Sequence, residues 1–251
     1  MNLMRAFNIK NKDIITIVGA GGKTSLMFSA SSLLRKDYKV LVTTTTNIYV
    51  PDFGAVKFDG LYQVDDNNIK EFESTIKNYK NGVYVVGSKI INNSNKPKLK
   101  GLSFEMLDKI VPYFDIVIIE GDGSKEKPLK GWKDSEPVVY DKTNKTIGVV
   151  DIKSIGLDIN EDNIHRLDRF LNIINDENSQ RVKIEHLKNI VLNKNGLFKV
   201  SKGERVLFIN KAENIDDKIN ATLLISKIKN EDYSFIDRFV YGSIIENKFY
   251  I

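Results

Sequence analysis

The order of predicted strands and helices limits this chain to a small set of folds. Short runs of β-branched and other apolar residues alternate with segments in which apolar residues recur at helical spacing. The predicted strands are 13–18, 39–43, 83–86, 115–120, 146–150 and 206–209, with 234–241 and 244–251 as candidates for closing strands. The predicted helices are one that starts near Thr24 and those at 69–79, 104–110, 161–174 and 215–229. Strands joined by helices favour parallel pairing, so we expect an α/β fold with a mainly parallel, doubly wound sheet.

The chain offers no clear point at which to divide it into domains. Its 251 residues contain no internal repeat and no low-complexity linker, and α/β folds of this length often form one unit. We therefore predict a single domain over residues 1–251. The segment at about 179–204 is the least regular part, and it could be an insertion made of a short helix and a hairpin that turns at Asn195–Gly196.

Composition excludes several kinds of site. The chain has no cysteine, which rules out a disulfide framework, a thiolate metal site and a cysteine nucleophile. It has only two histidines, so we do not expect a His-rich metal site. The net charge of +5 comes from basic residues scattered among acids and asparagines, so we do not expect nucleic acid as a partner. No apolar run approaches the ~20 residues of a membrane span, and we find no secretory signal. We expect a cytoplasmic protein without a membrane segment.

A glycine-rich turn follows the first predicted strand directly. The turn has the sequence Gly-Ala-Gly-Gly-Lys-Thr-Ser over residues 19–25, and it lies between an apolar strand and an amphipathic helix. Glycines let backbone N–H groups approach an anion, and the start of a helix favours negative charge. A lysine then reaches terminal phosphates and a hydroxyl binds Mg²⁺, so this turn predicts a P-loop NTPase-like fold that binds ATP or GTP. The residues predicted to hold the phosphates are Gly19, Gly21, Gly22, Lys23, Thr24 and Ser25.

The spacing of this turn leaves alternatives to consider. In the usual P-loop pattern, G-x-x-x-x-G-K-[ST], the first glycine would fall on Ile17. The shorter G-x-x-G-K-T from Gly19 to Thr24 resembles the loop of Mur-type ligases. A tight strand-to-helix turn that needs glycines only for packing is the plainer interpretation. A dinucleotide-binding G-x-G-x-x-G is disfavoured because its third glycine would be Thr24.

Two carboxylates follow the most apolar predicted strand. Residues 116–119 lead into Glu120-Gly121-Asp122-Gly123, and ligands of open α/β sheets collect where the parallel strands end. One acidic side chain there can hold Mg²⁺, and a second can orient a nucleophile. The alternative is an ordinary turn in which Asp and Gly serve the backbone conformation. The predicted catalytic residues are Lys23, Glu120 and Asp122, and the predicted metal ligands are Thr24, Glu120 and Asp122.

Further candidate residues follow other predicted strands. Thr44 and Thr45 could place hydroxyls near phosphate or a metal-bound water, although threonine also simply favours strands. The segment 210–213, Asn-Lys-Ala-Glu, is similar to the Asn-Lys-x-Asp element with which GTPases bind guanine, so Asn210 and Lys211 are predicted to meet the base. Polar residues in a strand-to-helix turn are an equal alternative. Lys130, in a basic loop, and Arg166 are candidates for contacting a second anionic substrate.

Taken together, these ordered motifs resemble the selenium-dependent hydroxylase accessory protein family of the YqeC type. The resemblance covers most of the chain, and it rests on segments 14–25, 40–47, 120–125, 128–130, 136–138, 147–156, 165–166 and 208–211. It implies a P-loop-type, nucleotide-binding accessory protein of molybdenum hydroxylases, some of them selenium-dependent. Gly121 stands where Ala is more familiar, and Glu213 stands in place of Asp, which leaves the choice between adenine and guanine open.

The function expected from these observations is an NTP- and Mg²⁺-binding protein that helps to mature or insert a molybdenum-type cofactor. NTP hydrolysis and phosphoryl or nucleotidyl transfer both fit, because phosphoryl chemistry depends mainly on positioning and charge. The resemblance implies a molybdenum hydroxylase, or its cofactor, as partner. The alternative is a non-catalytic, nucleotide-dependent switch or chaperone whose threonine- and lysine-rich loops become ordered and dock a hydroxylase.

Overall fold

A nine-stranded sheet forms the centre of the computed structural model, which describes residues 1–52, 54, 56–92, 96–176 and 178–251. Within these residues, three further strands form a small antiparallel sheet and two form a short parallel pair. The strands are β1 (Ile14–Gly19), β2 (Lys39–Thr44), β3 (Asn47–Tyr49), β4 (Gly60–Gln63), β5 (Gly82–Gly87), β6 (Lys89–Ile91), β7 (Lys98–Lys100), β8 (Ile116–Glu120), β9 (Leu129–Lys130), β10 (Lys145–Asp151), β11 (Ile164–His165), β12 (Glu204–Asn210), β13 (Arg238–Ser243) and β14 (Lys248–Tyr250).

Helices connect most of the strands of the central sheet. They are α1 (Leu3–Ala6), α2 (Lys23–Leu34), α3 (Ile69–Lys77), α4 (Phe104–Ile110), α5 (Leu167–Ile174), α6 (Ile184–Leu192) and α7 (Ile215–Glu231). Short 3-10 turns cover Val111–Tyr113 and Ile152–Ser154. In the ranges that the structure describes, no helix has both the length and the apolar character needed to cross a bilayer.

The order of the strands makes β1 the topological switch point of the central sheet. The central sheet has the order β14-β13-β12-β10-β1-β8-β2-β5-β4, and each neighbouring pair is parallel except β13 with β14. The strands β2, β5 and β8 lie on one side of β1, whereas β10, β12 and β13 lie on the other. Open α/β sheets bind their ligands beside such a switch point, at the carboxyl ends of the strands.

Helices cover both faces of the central sheet. Successive residues of a strand point to opposite faces, so each strand contributes to two cores. Along β8, Ile118 packs in the cluster formed with α1 and α2, whereas Ile119 packs against α3 and α4. Leu207 of β12 packs against α5, α6 and α7, which cover the rest of that second face. The predicted doubly wound α/β fold with a mainly parallel sheet is therefore confirmed.

The helix predicted over 161–174 is wrong in its first half. Ile164 and His165 instead form β11, which pairs in parallel with β9, and α5 begins only at Leu167. Arg166 separates the two elements because its backbone adopts a left-handed conformation, with φ of 61°. A right-handed helix cannot pass through such a residue. His165 consequently lies in a strand and Arg166 lies just before a helix.

The hairpin predicted at Asn195–Gly196 is also wrong, although the short helix before it is present as α6. The backbone N–H of Leu197 donates to the carbonyl of Ile190 at 2.8 Å, which folds the segment back onto the end of α6. Leu197 and Phe198 are then buried in the cluster that also contains residues of β12 and α7. Burial of these apolar side chains, and not strand pairing, fixes the segment.

The two small sheets were not predicted. The strands β3, β7 and β6 form an antiparallel sheet in that order, and β3 follows the end of β2 after two residues. This sheet carries the basic segment 98–100 to the same end of the molecule as the carboxyl ends of the central strands, where Lys98 and Tyr49 line a cleft. Strands of two or three residues are too short to show a period, so their pairing depends on the rest of the fold.

Candidate functional site

Polar or small residues end five neighbouring strands at one edge of the central sheet. Gly19, Thr44, Glu120, Asp151 and Asn210 are the last residues of β1, β2, β8, β10 and β12. Because these strands are parallel, their carboxyl ends meet. A cleft of about 790 Å³ opens at this edge, and it is lined by the glycine turn, the start of β3 and the loop at 123–128. This cleft is the candidate functional site.

The glycine turn leaves a run of backbone N–H groups without acceptors. In the part of the chain that the structure describes, the N–H groups of residues 21–25 donate to no acceptor, and all five residues line the cleft. Residues 23–25 form the first turn of α2, where the helix dipole adds positive charge. Gly22 precedes them with φ of 128°, a conformation that favours glycine. The turn therefore offers an anion the donors that it needs.

Close packing also requires glycine in this turn. A Cβ on Gly19 would lie 2.4 Å from the carbonyl oxygen of Val149, and a Cβ on Gly22 would lie 2.4 Å from Asn210 Nδ2. The packing interpretation and the anion-binding interpretation are thus compatible. The turn is held tightly against β10 and β12 on one side while its other side lines the cleft.

Lys23 and Thr24 contact the predicted acidic pair. Lys23 Nζ donates to the carbonyl of Gly19 at 2.7 Å, and it lies 3.7 Å from Glu120 Oε1 and 3.5 Å from Asp122 Oδ1. The Thr24 hydroxyl donates to Glu120 Oε2 at 2.7 Å. Burial raises the pKa of Glu120, although Lys23 and Thr24 oppose that shift. An ammonium, a hydroxyl and a carboxylate therefore adjoin the unpartnered N–H groups along the cleft.

Asp122 lies deeper than Glu120 and connects two loops. Its carboxylate accepts from the Gly19 N–H at 3.0 and 3.1 Å, from Lys130 Nζ at 2.9 Å and from Trp132 Nε1 at 2.7 Å. Burial alone would raise the pKa of Asp122, but the ammonium groups of Lys130 and Lys23 hold it below its ordinary value. The side chain is fully buried and is not part of the cleft wall. Its contacts fasten the glycine turn to the loop that follows β8.

The two candidates for a second anion lie beyond Asp122. Lys130 is fully buried, and its Nζ also donates to the Gly123 carbonyl at 2.7 Å and to Glu136 Oε2 at 3.1 Å. Arg166 donates to both carboxylate oxygens of Glu136, one of them at 2.8 Å. Burial alone would raise the pKa of Glu136, but Arg166 and Lys130 hold it below its ordinary value. The Lys130 ammonium is therefore already bonded to three acceptors, whereas Arg166 lines a second pocket.

The two predicted threonines bond to backbone carbonyls. The Thr44 hydroxyl donates to the Glu120 carbonyl at 2.8 Å, and the Thr45 hydroxyl donates to the Val138 carbonyl at 2.7 Å. Both contacts position the strand ends around the cleft. The next threonine, Thr46, lines the cleft itself, and the sequence analysis did not single it out.

The segment predicted to meet the base lies beside the glycine turn. Asn210 Nδ2 donates to a carbonyl of that turn, Gly21 O, at 2.8 Å. Lys211 forms an ion pair with Asp151 and lines the cleft. Burial raises the pKa of Asp151 against the opposing effect of Lys211. Glu213 forms an ion pair with Lys153, a further residue of the cleft wall, so this end of the cleft carries paired charges.

Sequence reasoning missed several residues of the cleft wall. Asp151 directly follows the predicted strand 146–150, so the rule that pointed to Glu120 could have found it. Tyr49 and Lys98 reach the cleft from the small sheet, and no spacing in the sequence signals that approach. Glu136 follows no predicted strand, and its role depends on the contacts of two distant basic residues.

One testable consequence concerns His165, whose pKa is lowered to about 4 by burial first and then by nearby cations, Arg166 foremost. In the unfolded chain its pKa is near the ordinary 6.5, so the unfolded state binds the proton at higher pH. We expect the free energy of unfolding to fall as pH drops from about 6.5 to about 4, and this contribution to level off below that range. The measurement is urea denaturation across this range for the native chain and for His165→Gln, whose stability should fall less steeply. Parallel curves would contradict the assignment.

Comparison with known proteins gives two findings. The sequence model of the family described as "YqeC protein" matches residues 15–168 of this chain, a stretch that includes the glycine turn, both carboxylates and Arg166. The chain is also similar to a protein of Escherichia coli (strain K12) described as "Uncharacterized protein YqeC". The two are 28% identical over 235 residues, which cover 90% of this chain and 87% of that protein. The similarity therefore extends over nearly the full length of both proteins.

Proposed function

This chain belongs to the YqeC protein family, and we propose that it binds a nucleoside triphosphate with Mg²⁺ in the cleft and acts as an accessory protein in the maturation of a molybdenum hydroxylase. One observation carries the nucleotide part of the proposal. Five consecutive backbone N–H groups, at residues 21–25, have no acceptor among the described residues and line a cleft large enough for such a ligand.

The residues around the turn fit a phosphate chain. A polyanion would satisfy the unpartnered N–H groups and would benefit from the positive end of α2. Lys23 lines the same wall, and among the described residues its Nζ contacts only the Gly19 carbonyl and two carboxylates, so it can exchange these partners for a phosphate oxygen. Lys153 and Lys211 also line the cleft and add positive charge there, although each is paired with a carboxylate.

The acidic residues fit a metal ion that arrives with the nucleotide. Within the described ranges, no group of three or more His, Asp and Glu side chains could hold a metal ion by itself. Mg²⁺ on a nucleotide needs only one or two protein oxygens, because phosphates and waters complete its shell. Glu120 and Thr24 adjoin at 2.7 Å on the cleft wall, so these two are our proposed ligands.

We assign different roles to the two predicted acids because their contacts differ. Glu120 lines the cleft and is assigned the metal or the attacking group. Asp122 accepts four hydrogen bonds from buried donors, so it is assigned the positioning of the glycine turn through the Gly19 N–H. Asn210 holds the turn through the Gly21 carbonyl, which leaves Lys211 as the proposed contact to the base.

The accessory role is supported by the resemblance to selenium-dependent hydroxylase accessory proteins. This resemblance includes the segments that form the cleft. Within that role, either hydrolysis or transfer of a phosphoryl or nucleotidyl group suits a site built from positioned N–H groups and cations. A purified protein that turns over nucleotide unaided supports an enzyme. Hydrolysis that occurs only when a hydroxylase is added supports the switch.

The nucleotide assignment is tested by calorimetric titration of ATP and GTP, with and without Mg²⁺. We expect tighter binding with Mg²⁺, and we expect Lys23→Ala to weaken binding of the preferred nucleotide about 100-fold, the value of one strong charged contact. Lys36→Ala, at an exposed position away from the cleft, is the matched control. Because Lys23 is buried, circular dichroism must show that the variant is folded.

A second variant keeps this test decisive if Lys23→Ala is unstable. Thr24 is exposed, and Thr24→Val keeps the shape of the side chain while it removes the hydroxyl. We expect this variant to lose most of the gain in affinity that Mg²⁺ provides. The proposal is wrong if neither nucleotide binds the native protein more tightly than it binds the folded Lys23 variant.

A further inference from the structure

A second pocket lies beside the cleft and has its own lining. Its volume is about 740 Å³, and its walls include Lys125, Lys133, His165, Arg166 and Arg169. Only Lys125 belongs to the walls of both cavities. The pocket is therefore adjacent to the proposed nucleotide site but separate from it.

The pocket carries an excess of positive charge. Four basic side chains line it against two carboxylates, Asp134 and Asp168. Both carboxylates lie near Arg169, at 3.3 and 3.9 Å. Among the residues that the structure describes, Lys125 and Lys133 form no ion pair. Two lysines of the pocket wall thus have no counter-charge among the described residues, which favours an anionic ligand.

Arg166 is held in place at the wall of this pocket. Its guanidinium donates to both oxygens of Glu136 and, more weakly, to the Gly131 carbonyl at 3.4 Å. The left-handed backbone at Arg166 and the pairing of β11 with β9 fix the start of its side chain. A guanidinium has five N–H donors, so those not used by Glu136 remain for an oxyanion. Little conformational freedom is then lost on binding.

His165 completes the lining with a neutral ring. The ring makes no hydrogen bond to the described residues. Burial and the adjacent cations lower the pKa of His165 to about 4, so at neutral pH the ring keeps one N–H donor and one acceptor nitrogen. A neutral ring can donate a hydrogen bond to an anion, and it does not add to the repulsion among the neighbouring cations.

We propose that this pocket binds a phosphate-type oxyanion at a site distinct from the nucleotide cleft. Its donors are the ammonium groups of Lys125 and Lys133, the guanidinium of Arg166 and the ring of His165. The pocket is concave and its cations are interrupted by Asp134 and Asp168, which suits a small anionic molecule and not the regular backbone of a nucleic acid. The anion site does not depend on nucleotide binding; only its use for a second substrate would rest on the proposed function.

The two histidines of the chain allow a site-specific test by NMR. His165 lines the pocket, whereas His186 is buried against Asp176 at 3.1 Å and serves as the internal reference. Inorganic phosphate is titrated at pH 7 while sodium chloride keeps the ionic strength constant. We expect the ring Cε1–H signal of His165 to shift in a saturable way and the signal of His186 to stay unchanged.

Charge-removing variants decide whether the shift reports the pocket. Lys133→Gln should weaken the apparent phosphate affinity about fivefold, the value of one exposed charge contact, whereas the matched Lys36→Gln should change it by less than about twofold. This titration contains no nucleotide and is read at His165, so a failure of nucleotide binding does not count against the pocket. The proposal is overturned if the His165 signal does not saturate, or if Lys133→Gln and Lys36→Gln behave alike.

Discussion

Replacement of Asp122 by alanine is expected to lower the free energy of unfolding by about 3–5 kcal/mol, because a buried cation would lose its partner. The Lys130 side chain has no exposed surface, and Asp122 is one of its two carboxylate partners. The substitution also removes the acceptor of the Trp132 N–H and of the Gly19 N–H, both buried. Unsatisfied buried donors add to the cost. Urea denaturation followed by circular dichroism measures the change.

The control for this prediction lies in the loop that follows β9. Asp134 is exposed and contacts Arg169 at 3.3 Å, so Asp134→Ala should change the free energy of unfolding by less than about 1 kcal/mol. The double variant Asp122→Ala with Lys130→Met should be destabilised by less than the sum of the two single changes, since the stranded cation is gone. Equal stability of the two aspartate variants would contradict the buried role of Asp122.

Replacement of Gly19 by alanine is expected to damage both the fold and the cleft. Gly19 has φ of 105°, and an added Cβ would lie 2.4 Å from the backbone oxygen of Val149 and 2.8 Å from a methyl group of Leu197. Such a conformation alone costs about 1–3 kcal/mol for a residue with a side chain. Because β1 and β10 are paired at this point, the clash cannot be relieved without moving the sheet. We expect a loss of at least about 3 kcal/mol in the free energy of unfolding.

Gly123→Ala is the matched control for Gly19→Ala. Gly123 lines the cleft, and an added Cβ there would meet nothing within 4 Å. Its variant should unfold at the same urea concentration as the native chain. In calorimetric titrations with Mg²⁺, Gly19→Ala should bind nucleotide at least about tenfold more weakly than Gly123→Ala, since a shift of the turn moves its N–H groups. Similar behaviour of the two variants would show that the turn tolerates side chains.

A series of buried and half-buried charges connects the two cavities. Lys23, Asp122, Lys130, Glu136 and Arg166 follow one another with alternating charge, at 3.5, 2.9, 3.1 and 2.8 Å. The first of these residues lines the cleft and the last lines the second pocket. The structure thus gives a physical link between the glycine turn and the phosphate-type site that we propose.

The periodic parts of the fold could be predicted from the sequence. The strands at 14–19 and 116–120 and the helix that begins at Lys23 lie within two residues of their predicted ends. In these segments most of the residues that the apolar pattern predicts to be buried are buried in the structure. The short strands β9 and β11 lack such a pattern. The left-handed backbone of Arg166, which no local pattern predicts, delays the start of the predicted helix to Leu167.

The two carboxylates show the same limit at the site. Glu120 and Asp122 are two residues apart, so the sequence treats them as a pair of equal candidates. The structure separates them because Lys130 at the end of β9 and Trp132 just after it bond to Asp122, whereas Thr24 at the start of α2 bonds to Glu120. Which acid lines the cleft and which anchors the glycine turn therefore depends on groups that meet only after folding.

The sequence by itself determined the strand–helix alternation, the glycine turn with its lysine and threonine, and the acidic end of a buried strand. Each of these depends on neighbours within a few residues, through periodicity, backbone freedom or the start of a helix. The tertiary structure alone decided which side chains line the cleft, which acid anchors the turn, and that a basic pocket lies beside it. Burial, hydrogen bonding and charge pairing act through space, for example between Gly21 and Asn210, which are 189 positions apart, and no local pattern encodes them.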